Sequence, residues 1–153
     1  MYYGALEAGG TKMVCAIGDA DKNIIDRISI PTGTPDQSVP AMIDYFKKYD
    51  ISALGIGTFG PADINPNSPT YGSIMRSPKK AWEGFSLYKA FTDALGCLVV
   101  VDTDVNAAAW GEYLYGALKG LNSGMYLTVG TGIGGGNGFR THGVGRIYPP
   151  RQV

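Results

Sequence analysis

The sequence opens with YYGALEAGGTKMVCAIGDADKNIIDRISI (residues 2–30), in which two short polar turns separate three apolar stretches. Apolar stretches bounded by Gly and Asp are typical of β-strands, so strands are predicted at 2–6, 13–18 and 23–30. Turns of so few residues join antiparallel neighbours, because a parallel pair needs a long crossover connection. This stretch therefore predicts three antiparallel strands.

Helices and strands alternate further along the chain. Thr34, Pro35 and Gln37 predict a helix start, although Pro40 leaves open a start at Ser38. The other predicted elements are a strand at 51–57, a long polar loop at 61–82, a helix at 87–94, a strand at 97–101, a helix at 105–118 and a strand at 125–129. An antiparallel opening followed by strand–helix units predicts an α/β domain with a mixed sheet, and the last strand indicates the start of a second lobe.

Composition excludes several classes of function. The 153 residues contain 13 Lys and Arg against 13 Asp and Glu, which argues against a nucleic-acid binder with a strongly basic surface. No apolar stretch reaches the roughly 18 residues that span a membrane, and no signal peptide is recognisable. Cys15 and Cys97 lie in apolar stretches without a CxxC pattern, which favours buried reduced thiols over a disulfide or metal pair. We expect a cytoplasmic protein without nucleic-acid or membrane partners.

Two glycine-rich turns each follow an apolar strand. The first, GGTK at 9–12, offers a backbone that an anion can approach, a hydroxyl from Thr11 and a point charge from Lys12. The second, TVGTGIGGG at 128–136, adds backbone N–H groups and the Thr131 hydroxyl. Both turns have a plain hairpin as the alternative, and neither matches a Walker A or Rossmann pattern. Together they predict contacts with one polyphosphate.

Acidic residues supply the candidate general base. In DTDVN at 102–106, an acid after a buried strand suits proton removal from an alcohol during phosphoryl transfer. Asp104 is the first candidate, Asp102 competes with it, and capping of the following helix is the alternative role of Asp104. Glu112, two turns further along, either reaches the same cleft or faces solvent. Glu7, at the end of the first strand, could hold Mg²⁺, with water between them.

The polar loop has the residue types that bind sugars. TYGSI at 70–74 and SPKKAW at 77–82 combine hydroxyls, glycine and an aromatic ring. The alternative is a polar surface loop with Trp82 in the core. His142, the single histidine, lies in a polar segment and is expected to be solvated.

Five motifs in this order resemble the ROK family of sugar kinases, and within it the bacterial fructokinase branch. They are EAGGTK at 7–12, GTFGP at 57–61, TYG at 70–72, TDVNAA at 103–108 and TVGTGIG at 128–134. The resemblance implies an actin-like, ribonuclease H-like α/β fold with a mixed sheet and with ATP and Mg²⁺ in the cleft between two lobes. This chain would supply the first lobe and the first strand of an incomplete second lobe.

The resemblance also implies roles for single residues. Asp104 matches the catalytic base that takes the proton from the sugar 6-hydroxyl. The phosphate-binding residues would be Gly9, Gly10, Thr11, Lys12, Thr128, Gly130, Thr131, Gly132 and Gly134. The sugar-binding residues would be Gly72, Thr103, Asp104, Asn106 and Glu112. Glu7 and Thr103 both favour the fructokinase branch, and the pair Pro78 and Lys79 resembles its sugar-side loop.

The resemblance ends near Gly136. Family members continue into a second lobe with a structural Zn²⁺ site, whose ligands are absent here, and are often homodimers. We therefore expect a kinase lobe at 1–118, the start of a second lobe with the ATP-phosphate hairpin at 119–136, and an atypical, disordered tail at 137–153. A truncation or a frameshift would explain that tail.

The expected activity is ATP-dependent phosphorylation of a hexose, with fructose giving fructose 6-phosphate. The alternatives are a glucokinase or mannokinase of the same family, a non-catalytic sugar-binding module and an inactive fragment. Regulators of this family carry a DNA-binding segment before the kinase-like part, whereas the first glycine turn here begins within ten residues of Met1. Weak turnover is expected from so short a chain, because a kinase closes two lobes on its substrate.

Overall fold

The computed structural model describes residues 1–129, 133–139 and 146–148. The elements are β1 (Tyr2–Ala8), β2 (Lys12–Asp19), β3 (Ile24–Pro31), α1 (Pro35–Phe46), β4 (Ile51–Thr58), a 3₁₀ turn (Lys80–Trp82), α2 (Leu87–Leu95), β5 (Leu98–Thr103), α3 (Asp104–Tyr115), β6 (Ser123–Val129), β7 (Ile133–Phe139) and β8 (Arg146–Tyr148). The chain divides into two compact units, Met1–Thr103 and Asp104–Val153. None of the helices in the described ranges is long and apolar enough to cross a membrane.

The first unit is built on a five-stranded mixed sheet in the order β3-β2-β1-β4-β5. β1 pairs antiparallel with β2, and β2 pairs antiparallel with β3. β4 lies parallel to both β1 and β5, and the connections that this requires run through α1 and α2. The structure thus confirms the predicted mixed sheet, with its antiparallel opening and the strand–helix units that follow.

The core of the first unit lies between the sheet and its two helices. Alternate residues of β1 and β5 are buried, as expected for strands with one covered face. The rings of Phe46 on α1 and Phe91 on α2 meet edge to face, with their centroids 6.1 Å apart. Both are fully buried, and full burial of such a side chain contributes about 2 kcal/mol. This core fixes the strand ends that carry the predicted site residues.

Helix α1 begins where the capping pattern predicts it. Thr34 is the N-cap, and its N–H donates to Oε1 of Gln37 over 3.1 Å. Pro40 is accommodated inside the helix, so the alternative start at Ser38 is wrong. The hydroxyl of Ser38 instead accepts a hydrogen bond from the N–H of Gly33 at 2.9 Å, which ties the incoming loop to the helix.

In the second unit, α3 packs against an antiparallel pair, β6 and β7. The boundary between the units lies before Asp104, because α3 packs on these strands. The predicted lobe boundary lies after residue 118. β7 runs on to Phe139 and pairs with β8, although no strand was expected beyond residue 136. Pairing through backbone N–H and C=O groups does not require the apolar alternation that this segment lacks. The predictions for residues 140–145 and 149–153 lie outside the described residues.

Candidate functional site

The first glycine turn, residues 9–12, closes a tight hairpin between β1 and β2. The N–H of Gly9 donates to the carbonyl of Lys12 over 3.0 Å. Thr32, the residue after β3, holds the turn: its hydroxyl donates to the Gly9 carbonyl over 2.8 Å and its N–H donates to the Thr11 carbonyl over 3.0 Å. A Cβ at Gly9 would lie 2.6 Å from the Lys12 carbonyl oxygen, so only glycine fits there.

The same turn leaves several donors for a ligand. Within the described residues, no partner takes up the N–H groups of Gly10 and Thr11, the Thr11 hydroxyl or the Lys12 ammonium. The side chains of Thr11 and Lys12 are exposed. Two backbone amides, a hydroxyl and an ammonium on one turn can bind a phosphate group, which is what the sequence predicts for these residues.

The loop between β4 and α2 is organised around Asp63. Its carboxylate accepts a hydrogen bond from the Thr70 hydroxyl at 2.6 Å, and its carbonyl accepts one from the N–H of Gly72 at 2.7 Å. Hydrogen bonds from the hydroxyls of Ser68 and Thr70 hold the pKa of Asp63 below its usual value. The Gly72 carbonyl accepts from the N–H of Leu87 at 2.9 Å. Both backbone groups of Gly72 are thus hydrogen-bonded within the loop and hold it in place, while the Gly72 carbonyl keeps a second lone pair that can accept from a ligand.

Trp82 lies in the core, as the alternative interpretation of this loop expected. Its side chain is buried, and its indole N–H donates to the Gly33 carbonyl over 2.9 Å. Its ring meets those of Phe59 and Phe85 edge to face, with centroids 5.9 and 5.5 Å away. The interpretation of Trp82 as an aromatic face for the sugar is therefore wrong, because its ring is buried against Phe59 and Phe85 and is not accessible to a ligand.

Tyr71 connects this loop to the outer strand of the sheet. Its hydroxyl accepts a hydrogen bond from the N–H of Val101 at 2.8 Å and donates one to the Val101 carbonyl at 3.0 Å. An open cavity of about 820 Å³ adjoins this contact, and its lining includes Tyr88 and Asp102. Such a volume has room for a hexose, and the lining combines hydroxyl groups with carbon surface.

The two acids of the DTDVN motif are each held by a backbone amide at the end of β5 and the start of α3. Oδ1 of Asp102 accepts from the N–H of Thr103 at 2.7 Å, and Oδ1 of Asp104 accepts from the N–H of Val105 at 2.9 Å. Asp104 is the first residue of α3, where the partial positive charge of the helix end favours a carboxylate anion. The capping role and the catalytic role predicted for Asp104 are thus compatible.

Two predicted sugar contacts lie further along α3. Asn106 is fully buried in its first turn. Glu112 lies eight residues beyond Asp104, about 12 Å along a helix axis, and its carboxylate accepts from the N–H of Ala117 at 2.7 Å. Glu112 therefore caps the turn that ends α3 at Tyr115, which also explains why this helix stops short of the predicted residue 118.

The second glycine turn is the connection between β6 and β7. Thr128 lies opposite Gly134 in that pair. A Cβ at Gly136 would collide with the backbone carbonyl of Val105, so β7 lies directly against the first turn of α3. This contact places the β6–β7 hairpin against the helix end that carries Asp104. The resemblance implies that the two serve one site, whereas the packing of β7 on α3 is not predicted from the sequence. The predicted contacts of three residues in the connection lie outside the described residues: Gly130, Thr131 and Gly132.

Metal ligands are sparse in the part of the chain that the structure describes. No group of three or more His, Cys, Asp or Glu side chains there is placed to hold a metal ion. Cys15 and Cys97 are free thiols, and burial raises the pKa of Cys15 to about 12. Glu7 is exposed near the end of β1. A single exposed carboxylate beside a turn whose donors can bind phosphate fits Mg²⁺, which keeps several waters and binds through one or two carboxylates plus substrate phosphates.

Comparison with known proteins places these features in a family. The sequence profile of the ROK family matches residues 3–144. The fructokinase of Lactococcus lactis subsp. cremoris is 45% identical over 148 residues, which cover 95% of this chain and 50% of that enzyme. The glucokinase of Streptomyces coelicolor is 35% identical over 136 residues, 86% of this chain and 41% of that enzyme. This chain spans about half the length of the curated relatives it matches.

A solved structure shares the fold. The ROK family glucokinase of Streptomyces griseus, in complex with glucose and AMPPNP, superposes with a TM-score of 0.71 at 28% identity. The match covers 90% of this chain and 44% of that one. The described part of this chain corresponds roughly to the first lobe of the actin-like kinase fold.

Proposed function

Because this chain belongs to the ROK family, we propose that it serves in the ATP-dependent phosphorylation of a hexose 6-hydroxyl, with fructose as the preferred sugar. The observation that carries the proposal is the placement of Asp104 at the start of α3, beside the glycine-rich hairpin. The preference for fructose is supported by the higher identity to a fructokinase than to a glucokinase. Glucose and mannose are the alternative substrates.

Asp104 is the proposed base. The sugar hydroxyl gives its proton to the carboxylate while its oxygen forms a bond to the γ-phosphorus of ATP, and the bond from that phosphorus to the bridging oxygen of ADP breaks. The hydrogen bond from the N–H of Val105 fixes the orientation of the carboxylate. The partial positive charge at the start of a helix favours the carboxylate form of an acid, which is the form that accepts a proton.

The phosphate chain of the nucleotide is the proposed ligand of the glycine turns. In the first turn, the N–H groups of Gly10 and Thr11, with the Thr11 hydroxyl and Lys12, donate to phosphate oxygens. In the second, Thr128 and Gly134 frame the connection to which Thr131 belongs. Glu7 would hold Mg²⁺, with water between them, and the ion would supply charge neutralisation for the phosphates.

Sugar recognition is proposed for Thr103 and Asn106, which flank Asp104 in the sequence. Thr103 is largely buried and Asn106 fully so, which gives both a fixed position. Gly72 and Glu112 are the remaining proposed sugar contacts; Gly72 is held in the loop that Asp63 organises, and Glu112 lies near the end of α3. A hexose whose hydroxyl groups are placed differently leaves such polar groups unpaired, which is how a site of this kind discriminates between isomeric sugars.

The proposal is tested in the 153-residue chain and in a chimera that joins residues 1–136 to the remaining part of the Lactococcus lactis fructokinase. ADP release is measured with fructose, glucose and mannose, and ³¹P NMR identifies the phosphorylated position. We expect the chimera to have its highest kcat/KM with fructose and to form the 6-phosphate. A chimera that folds, contains both glycine turns and turns over none of the three sugars would contradict the proposal.

Substitution of the two acids tests the base. Asp104→Asn is expected to lower kcat of the chimera by about 10²–10⁴-fold, the usual contribution of a general base, with sugar binding retained. Asp102→Asn is the matched control and is expected to keep most of the activity. If Asp102→Asn abolishes turnover while Asp104→Asn leaves it near normal, Asp102 is the base instead.

A further inference from the structure

The side chain of Lys79 lies over the first glycine turn. A carbon at the Cβ position of Gly10 would be 3.7 Å from Cε of Lys79, an ordinary van der Waals distance. The last methylene of Lys79 therefore covers Gly10, and the ammonium group is one bond beyond it. The resemblance implies a place for Lys79 in the sugar-side loop, so its contact with the first glycine turn is a finding of the structure.

The backbone of Lys79 is held on both sides by buried residues. Its N–H donates to the hydroxyl of Ser77 over 3.2 Å, and its carbonyl accepts from the N–H of Trp82 at 2.9 Å. Ser77 and Trp82 are both buried, and the indole of Trp82 is hydrogen-bonded to Gly33. A backbone that is already fixed adds no ordering cost of its own when its side chain binds a ligand.

The charges near the turn favour an anion. Among the described residues, no carboxylate forms an ion pair with Lys79 or Lys12, and Glu7 on the adjoining strand contacts neither ammonium within ion-pair distance. Lys80, the next residue, differs, because its ammonium pairs with Glu83 at 3.0 Å. The ammonium groups of Lys79 and Lys12 are therefore free of ion pairs with carboxylates of the first unit.

We propose that Lys79 is a second cation of the phosphate site at the first glycine turn and that, with Lys12, it binds the terminal phosphate groups of a nucleoside triphosphate. The inference rests on the proposed function, which supplies the nucleotide. An ammonium in contact with phosphate oxygens forms charge-assisted hydrogen bonds, the strongest class in proteins. Lys79 thus contributes to nucleotide affinity, whereas Lys80 does not.

The test uses the 153-residue chain, with Lys79→Met and with Lys80→Met as its matched control. Both substitutions remove one ammonium and keep a long apolar side chain. Calorimetry measures the Kd of ATP, AMP and inorganic tripolyphosphate. We expect Lys79→Met to raise the Kd of ATP and of tripolyphosphate by about tenfold and to leave the Kd of AMP unchanged. The urea midpoint should equal that of the parent chain. Lys80→Met should bind all three like the parent.

A footprint on the unsubstituted chain gives the second readout. Acetylation of lysines, followed by mass spectrometry, should show that tripolyphosphate slows the reaction of Lys79 and not that of Lys80. Unchanged acetylation of Lys79 in the saturated complex would overturn the inference, as would equal effects of the two substitutions. If the chain binds ATP and Lys79→Met binds it equally well, the inference alone fails. If the chain binds neither ATP nor tripolyphosphate, the proposed function of the turn and the inference both fail.

Discussion

Tyr71→Phe removes the hydroxyl that satisfies the backbone of Val101 on strand β5. That hydroxyl makes two hydrogen bonds, of 2.8 and 3.0 Å, to the N–H and C=O of Val101. Each is worth about 1 kcal/mol net. The cavity beside Val101 is open, so water can reach the freed groups, and no further penalty for a buried unsatisfied group is added. We expect the free energy of unfolding to fall by about 2 kcal/mol.

The matched control is Tyr88→Phe. The rings of Tyr71 and Tyr88 lie 4.9 Å apart, yet the Tyr88 hydroxyl has no hydrogen-bond partner in the described ranges of the chain. The same chemical deletion should therefore cost less than about 0.5 kcal/mol. Urea unfolding followed by tryptophan fluorescence measures both variants, and hydrogen exchange should show faster opening of the Val101 amide in Tyr71→Phe alone. If both variants lose the same stability, the hydrogen-bond argument is refuted.

Three further predictions concern stability and reactivity. The Tyr49 hydroxyl donates to Asp26 over 2.6 Å and lowers the pKa of that carboxyl, so this contact stabilises the fold above the unfolded pKa of about 3.9 and is lost as the pH falls through the lowered value. Tyr49→Phe should thus reduce the urea midpoint at pH 7, and parent and variant should converge near pH 2; an equal difference at both values would contradict this. With a pKa of about 12, Cys15 is ionised to about one part in 10⁴ at pH 8, so Ellman's reagent should label it far more slowly than Cys97 until urea unfolds the chain, and equal native rates would refute the assignment. Gly136→Ala pushes a methyl group into the α3 backbone and should destabilise the second unit by about 2 kcal/mol, seen as faster hydrogen exchange in α3 and β7; unchanged exchange would disprove that close packing.

Local chemistry made much of the fold predictable. Short polar turns force antiparallel neighbours, so β1, β2 and β3 could be placed from the order of apolar stretches. The start of α1 follows from the cap at Thr34, whose hydrogen bond to Gln37 spans only three residues. The end of α3 was predicted too late, because the carboxylate of Glu112 reaches the amide of Ala117 and stops the helix. That contact depends on the turn that follows the helix, and the spacing of apolar residues does not predict such a turn.

The sequence alone determined the family, the mixed sheet and the two glycine-rich turns, because each depends on residue types at short fixed spacings. Tertiary structure decided which side chains remain available for chemistry. It buried Trp82 in the core and engaged the Tyr71 hydroxyl in hydrogen bonds to Val101 of β5. It also placed Lys79 over Gly10, a residue almost seventy positions away in the sequence. Contacts between distant segments are set by packing of the whole unit, and no local pattern of residues encodes them.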